Sequence, residues 1–226
     1  ACPWCLSHDP RHCPDRTVIG IRGHDGAFAE FLTVPASNLH PVPEQVETLE
    51  AVFAEPLAAA LEITQQIHIR HTTRIGVLGG GKLGILIALC LNHVSSAVTL
   101  IGRRQHLLDL AASKGVHTVR SESVELVKSD FDLVVEATGH PQGFGTALEL
   151  VRPEGTVVLK TTTQNTAEVD LTPITVKEIS VIGSRCGDLS LALKFLEQKW
   201  VEVGDLVEAC YALQDFPLAL EHASRP

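Results

Sequence analysis

Ile75-Gly76-Val77-Leu78-Gly79-Gly80-Gly81-Lys82-Leu83-Gly84 is the stretch whose reading decides the fold. Ile75 to Leu78 is a short apolar strand, and Leu83 to Asn92 is a helix apolar nearly all round, hence buried. Between them Gly79, Gly81 and Gly84 occupy the three glycine positions of G-x-G-x-x-G. A bare match is a common tight turn. A strand before it and a buried helix after it are the context in which the pattern binds a dinucleotide. Gly79 permits the turn, Gly81 lacks the Cβ that would hold a pyrophosphate off the backbone, and Gly84 lets helix and strand pack closely. The N–H groups at the helix start, around Lys82 and Leu83, then face the phosphates.

Outward from this turn the chain alternates regularly. Strands are expected at 97–101, 116–120, 131–136, 156–160 and 179–183, with helices at 105–114, 143–151 and 189–198. Strands separated by helices of about ten residues mean parallel βαβ units with right-handed crossovers. With 75–78 they make six strands, a complete Rossmann sheet: an α/β, doubly wound, parallel arrangement. Upstream, residues 50–68 carry helical spacing, with Pro56 suited to a first turn. Residues 26–34 alternate as a strand would, with Phe28 and Phe31 imperfectly in phase. Val207 to Tyr211 is a further strand candidate, and Asp215 to Ser224 reads as a final helix.

Composition bounds the function. The chain has 226 residues, with 18 Lys plus Arg against 27 Asp plus Glu, a formal charge of −9. Such a chain is a poor general binder of nucleic acid. Its longest apolar run, Leu83 to Leu91, is too short to span a bilayer. No charged n-region followed by an apolar h-region is visible in its first residues, so a signal peptide is not expected in this stretch. It begins at Ala1 and contains no Met, so it is expected to be a fragment or a processed chain. Six Cys are present, three of them within the first thirteen residues. A metal cluster in the reducing cytoplasm fits that spacing better than a disulfide framework.

The second cofactor position is the end of the second strand. An NAD site usually places Asp or Glu here to accept the ribose hydroxyls. This chain has Gly102-Arg103-Arg104 instead. A 2′-phosphate would be repelled by a carboxylate and held by arginine, so NADP is the expected cofactor, with Arg103 and Arg104 as its clamps. NAD, held through other ribose contacts, is the alternative.

Cys2, Cys5, His8 and Cys13 read as C-x2-C-x2-H-x4-C, four N/S ligands of a closed, structural zinc site. His12 could replace His8. The competing readings are reduced surface thiols and a Cys2–Cys5 redox pair.

These features stand in one order with Gly26-Ala-Phe-Ala-Glu-Phe-Leu-Thr-Val-Pro35, Ala54-Glu55-Pro56-Leu57-Ala58, Glu136-Ala-Thr-Gly139, Gly155-Thr-Val-Val158 and Val181-Ile-Gly-Ser184. The ordered set resembles the zinc-dependent alcohol and polyol dehydrogenases of the medium-chain dehydrogenase/reductase superfamily. The resemblance implies a partial GroES-like, β-rich catalytic domain over 1–50, a Rossmann domain over 51–199 and a return to the catalytic domain over 200–226. It implies hydride transfer between an alcohol carbon and the nicotinamide of NAD(P), with a catalytic zinc as Lewis acid. Glu55 matches the acid beside or on that zinc; a carboxylate at a helix start is also an ordinary dipole partner. Thr138 and Gly139 would approach the adenosine half, and Leu159 and Ser184 the nicotinamide. Lys160 ends the fifth strand beside Leu159, near the nicotinamide; a lysine facing the cofactor is not expected there, so it is read as pointing to solvent. The family's early Cys ligand and the His of its Gly-His-Glu segment are absent from this segment, so the segment alone is expected to be inactive. Its sixth strand, 178–183, is an exposed edge that would pair with its twin in a homodimer or homotetramer. The other classes open are a zinc-free quinone or enoyl reductase and a non-catalytic dinucleotide-binding protein on the same fold.

Overall fold

The computed structural model describes residues 2–7, 10–123, 130–163, 166 and 168–224. It divides into two compact units, Ala1–Pro41 with Val207–Pro226, and Val42–Leu206.

The larger unit is built on one sheet of six parallel strands: β1 Ile75–Leu78, β2 Val98–Gly102, β3 His117–Arg120, β4 Phe131–Glu136, β5 Val151–Leu159 and β6 Ser180–Gly183. Their order is β3-β2-β1-β4-β5-β6, and every pairing is parallel. The order reverses between β1 and β4. In an open parallel sheet that reversal opens a crevice at the carboxyl ends of the strands. β1 is buried along its whole length because it lies at the centre with neighbours on both sides. β3 and β6 are the edges.

The smaller elements follow in chain order: α1 Pro3–Leu6, α2 Thr48–Ala51, α3 Ala54–Gln66, α4 Lys82–Asn92, α5 Gln105–Ser113, α6 Gly143–Leu150, α7 Thr172–Val176, α8 Leu189–Glu197 and α9 Phe216–Ala223. α4 buries every residue from Gly84 to Leu91, as its continuous apolar surface requires. α5 ends where Gly115 takes a φ of 84°. The helix expected over 50–68 is broken: Val52 and Phe53 separate α2 from α3, and Pro56 falls in the first turn of α3, where its missing N–H costs nothing. β5 starts at Val151, earlier than expected, because Val151 pairs with Phe131 before an irregularity in the ladder at Phe131/Leu133. α7 was not legible as a helix, being only five residues long.

The smaller unit holds α1, α9 and 3-10 turns at Pro10–His12, Ala36–Asn38 and Leu213–Asp215. Two expectations fail here. Residues 26–34 form no strand, and neither do residues 207–211. A strand needs a neighbour to complete its ladder and a core to cover one face. Among the described residues of this unit the one bridge joins Val18 to Arg22, and none of them is buried. Phe28 therefore stacks on Phe216 at 6.0 Å between ring centroids rather than entering a sheet core.

Candidate functional site

The glycine turn is built as its spacing demands. Gly79 has a φ of 123°, open to glycine only, and a Cβ there would stand 2.5 Å from the Ala137 carbonyl oxygen. At Gly84 a Cβ would overlap the Gly79 carbonyl oxygen, which is the close helix–strand approach in physical form. Gly81, the N-cap of α4, offers no side-chain cap to the first N–H groups of the helix. Above Gly81 the space is open: the nearest atom a Cβ would meet is the Arg104 guanidinium, 3.8 Å away. Backbone donors, an open cradle and a guanidinium at its rim suit a diphosphate.

Arg104 is the N-cap of α5, and Arg103 precedes it; both are exposed. The sheet adds a residue that sequence reasoning missed. β2 and β3 are in register with Gly102 opposite Arg120, so Arg120 reaches the same end. It holds Glu122 through two hydrogen bonds of 2.8 and 3.2 Å and reaches Gln105 at 3.5 Å. The Arg120 bond, and to a lesser degree the charge of Arg103, hold the Glu122 carboxyl below its ordinary range. Arg120 by hydrogen bonds and Arg103 by its charge thus act on one carboxylate at the ends of β2 and β3, while Arg104 faces the Gly81 cradle. The signal that could have revealed Arg120 was its place as the last residue of the third strand.

At the end of β4, Glu136 is buried, and one carboxylate oxygen accepts from the Thr138 N–H at 2.8 Å and the Thr138 hydroxyl at 2.6 Å. The Thr138 hydroxyl accepts in turn from the His140 N–H at 3.0 Å. Gly139 has a φ of 70° and donates its N–H to the Thr161 hydroxyl at 2.9 Å. This loop is fixed by its own side chains.

The end of β5 corrects an expectation. Lys160 does not point to solvent. It is 8% exposed, and its Nζ donates to the Ala59 carbonyl at 2.7 Å, the Arg185 carbonyl at 2.7 Å and the Ser184 hydroxyl at 3.2 Å. A lysine stem can cross an apolar layer when three acceptors wait at its end. Ser184, buried just past β6, is thereby partnered. Leu159, the last residue of β5, lies opposite Gly183 and Glu136.

Glu55 sits exposed in the first turn of α3, a helix without a side-chain cap. Among the described residues, one group of three or more His, Cys, Asp or Glu ligand atoms is close enough to hold an ion: Cys2, Cys5 and Cys13, all within 4.8 Å of one another. Glu55 belongs to no such group. A catalytic zinc needs about three protein ligands, so the residues described around Glu55 do not by themselves form that site.

The thiols do fit a tetrahedral ion. Zn–S bonds of about 2.3 Å put two sulfurs about 3.8 Å apart, and Cys2 and Cys5 stand 3.7 Å apart. α1 makes this possible: Cys2 is its N-cap, Pro3 opens it, and Cys5 returns one turn later. The Cys5 backbone N–H lowers the Cys2 thiol, while sharing a proton with Cys2 and Cys13 pushes Cys5 up to about 11. His8 lies outside the described residues. His12 is not drawn into the group; its ring lies 5.1 Å from that of Trp4.

Residues 81–208, more than half of the chain, match the family described as zinc-binding dehydrogenase. The chain belongs to the zinc-binding dehydrogenase family. Among its relatives, the Escherichia coli L-idonate 5-dehydrogenase (NAD(P)(+)) is 26% identical, over 98% of this chain and 68% of its own length. The L-threonine 3-dehydrogenase of Stenotrophomonas maltophilia is 29% identical, over 80% of this chain and 56% of its own. The chain thus spans between about half and two thirds of the length of these curated relatives. The crystal structure of E. coli L-idonate 5-dehydrogenase superposes with a TM-score of 0.90 at 26% identity, covering 99% of this chain and 68% of that one. No helix among the described residues is long and apolar enough to cross a membrane.

Proposed function

We propose that this chain is the cofactor-binding part of an oxidoreductase that moves a hydride between an alcohol or polyol carbon and NAD(P), with NADP preferred. The observation that carries this reading is the open cradle over Gly81 at the reversal of the sheet order. Gly79, Gly81 and Gly84 shape the cradle, and the N–H groups at Lys82 and Leu83 receive the diphosphate. Gly102 lets the chain turn past the ribose, and Arg103 and Arg104, joined by Arg120, take a 2′-phosphate. Thr138 and Gly139 border the adenosine half. Leu159 and Ser184 border the nicotinamide half.

The relatives' names point to small hydroxyl-bearing substrates, and the name L-idonate 5-dehydrogenase (NAD(P)(+)) allows both cofactors. Cys2, Cys5 and Cys13, with His8 as the fourth ligand, would hold a structural zinc. That ion would pin a segment with no buried core of its own. Glu55 is the acid we assign to a catalytic zinc. Because it stands apart from other ligands here, we derive no step through that metal. Thiols of this kind suit the reducing cytoplasm. The edge strand β6, where Val181 is 39% exposed, is the surface we assign to pairing in a homodimer or homotetramer. We assign residues 1–50 and 200–226 to a catalytic domain, and 51–199 to the dinucleotide-binding domain.

The test is a fluorescence titration of the chain with NADPH and with NADH. NADPH should bind more tightly, and replacing Arg103 and Arg104 with Ala should remove about tenfold or more of that preference while leaving NADH nearly unchanged. Equal binding of both cofactors by the unaltered chain would overturn the NADP assignment. Binding of neither would overturn the dinucleotide reading.

A further inference from the structure

Lys160 is a buried ammonium that the reading above leaves without a task. It follows the last residue of β5, at the carboxyl edge of the half-sheet β4-β5-β6. The arginines gather at the other half, β1-β2-β3, so a dinucleotide lying across the crevice places its nicotinamide over Lys160's half.

The surroundings of Lys160 are unusual for a lysine. Its three donors go to two carbonyls and a hydroxyl, all uncharged. No carboxylate is among these partners. Glu62 and Glu55 on α3, and Cys186 beyond β6, act on it through space; Arg185 is its neighbour through the backbone carbonyl. Glu136 on β4 sends its carboxylate to Thr138 instead. Burial pushes the ammonium down to about 8, so it remains largely charged at neutral pH. An apolar side chain would fill this space without the cost of burying a charge.

We propose that Lys160 sets a fixed positive charge beneath the nicotinamide end of the crevice and so biases the site toward the reduced cofactor. The inference rests on the dinucleotide reading. The oxidised nicotinamide ring carries a positive charge and the reduced ring carries none. A neighbouring cation therefore weakens binding of the oxidised form and leaves the reduced form almost untouched. In a partly desolvated site one such charge about a side-chain length away changes the ratio by roughly tenfold. A site that holds the reduced form more tightly makes the bound oxidised form the stronger hydride acceptor, which favours alcohol oxidation. Lys160 is thus a positioning residue for charge, touching neither cofactor nor substrate.

The test compares Kd for NADP⁺ and NADPH by calorimetry, with no turnover required, in the unaltered chain, Lys160→Met and Lys160→Arg. The ratio Kd(oxidised)/Kd(reduced) should fall about tenfold in Lys160→Met and stay near its starting value in Lys160→Arg. A purely structural role would weaken both forms alike and leave the ratio where it was, and that result overturns the proposal. Should Lys160→Met fail to fold, the unaltered chain decides. Its ratio should fall as the pH rises from about 7 to about 9.5 and Lys160 loses its proton, and a constant ratio overturns the proposal. If the unaltered chain binds neither form, the dinucleotide reading is what fails.

Discussion

Gly84→Ala tests whether the glycine turn is set by sterics or merely tolerates glycine. In a helix interior, alanine is favoured over glycine by about 0.8–1.0 kcal/mol, so the propensity of α4 alone calls for a more stable protein. The structure calls for the opposite. A Cβ at Gly84 would overlap the Gly79 carbonyl oxygen and stand 2.9 Å from its carbonyl carbon. Both are backbone atoms, in a turn fixed by the φ of 123° at Gly79 and by its N–H bond of 2.9 Å to the Ile101 carbonyl. No rotamer change can relieve the overlap, so α4, buried from Gly84 to Leu91, must move off β1. Overpacking of this kind costs about 1–3 kcal/mol, and backbone partners place it at the upper end, for a net loss of about 2 kcal/mol after the propensity gain. In urea that is a midpoint lower by roughly 1 M. Gly145→Ala is the matched control: it lies inside α6, and its Cβ would meet nothing within 4 Å. That variant should gain about 0.5–1 kcal/mol. Denaturation of the three proteins side by side gives the answer. A Gly84→Ala midpoint at or above the unaltered one would refute the steric argument.

Three further outcomes are expected. Asp132 accepts from the Arg152 guanidinium at 2.6 Å and the Arg74 N–H at 2.7 Å; burial raises its carboxyl, but these bonds and the two arginine charges outweigh it and hold the group below its ordinary 3.8. A carboxyl so depressed stabilises the fold above its unfolded pKa and ceases to as the pH falls through the folded value. Asp132→Asn should therefore cost about 1 kcal/mol at neutral pH, discounted because the Arg152 side chain is 38% exposed, and progressively less below about pH 4. A pH-independent difference in urea would contradict this. At the thiol group, zinc uptake near neutral pH should release protons, since Cys5 is held up at about 11 and must ionise to bind. Cys13→Ser should weaken zinc at least roughly tenfold in competition with a chromophoric chelator; unchanged affinity would remove Cys13 from the ligand set.

The Rossmann half was legible because each of its elements is specified locally. β1 and α4 are continuous apolar runs, and the turn between them is a sterically forced glycine pattern, so no distant partner is needed to read them. The bounds of β4 come out as expected, and those of β2, β3, β6, α5 and α8 differ by a residue or so. The smaller unit was not legible, for the opposite reason. The alternation in residues 26–34 is a real strand signal, yet a strand is completed by its neighbour, and here no described residue supplies one. Periodicity reports what a segment can do, and pairing decides whether it does it.

The same distinction separates the site residues that sequence could find from those it could not. Gly79, Gly84, Arg103 and Arg104 lie within one βαβ unit, so their spacing along the chain carries their spacing in space. Arg120 comes into view only through the register of β2 and β3, and Lys160 only through packing against Ala59, about a hundred positions earlier in the chain. Lys160 is the sharper case. A lysine after a strand reads as a solvated charge because that is its cheapest fate. Three neutral acceptors from α3 and from the segment after β6 make the buried alternative affordable, and none of them is visible as a pattern around position 160. The residues whose physics is least local are therefore the ones where this chain departs from a generic dinucleotide fold, and measurement of the oxidised-to-reduced binding ratio is aimed at such a residue.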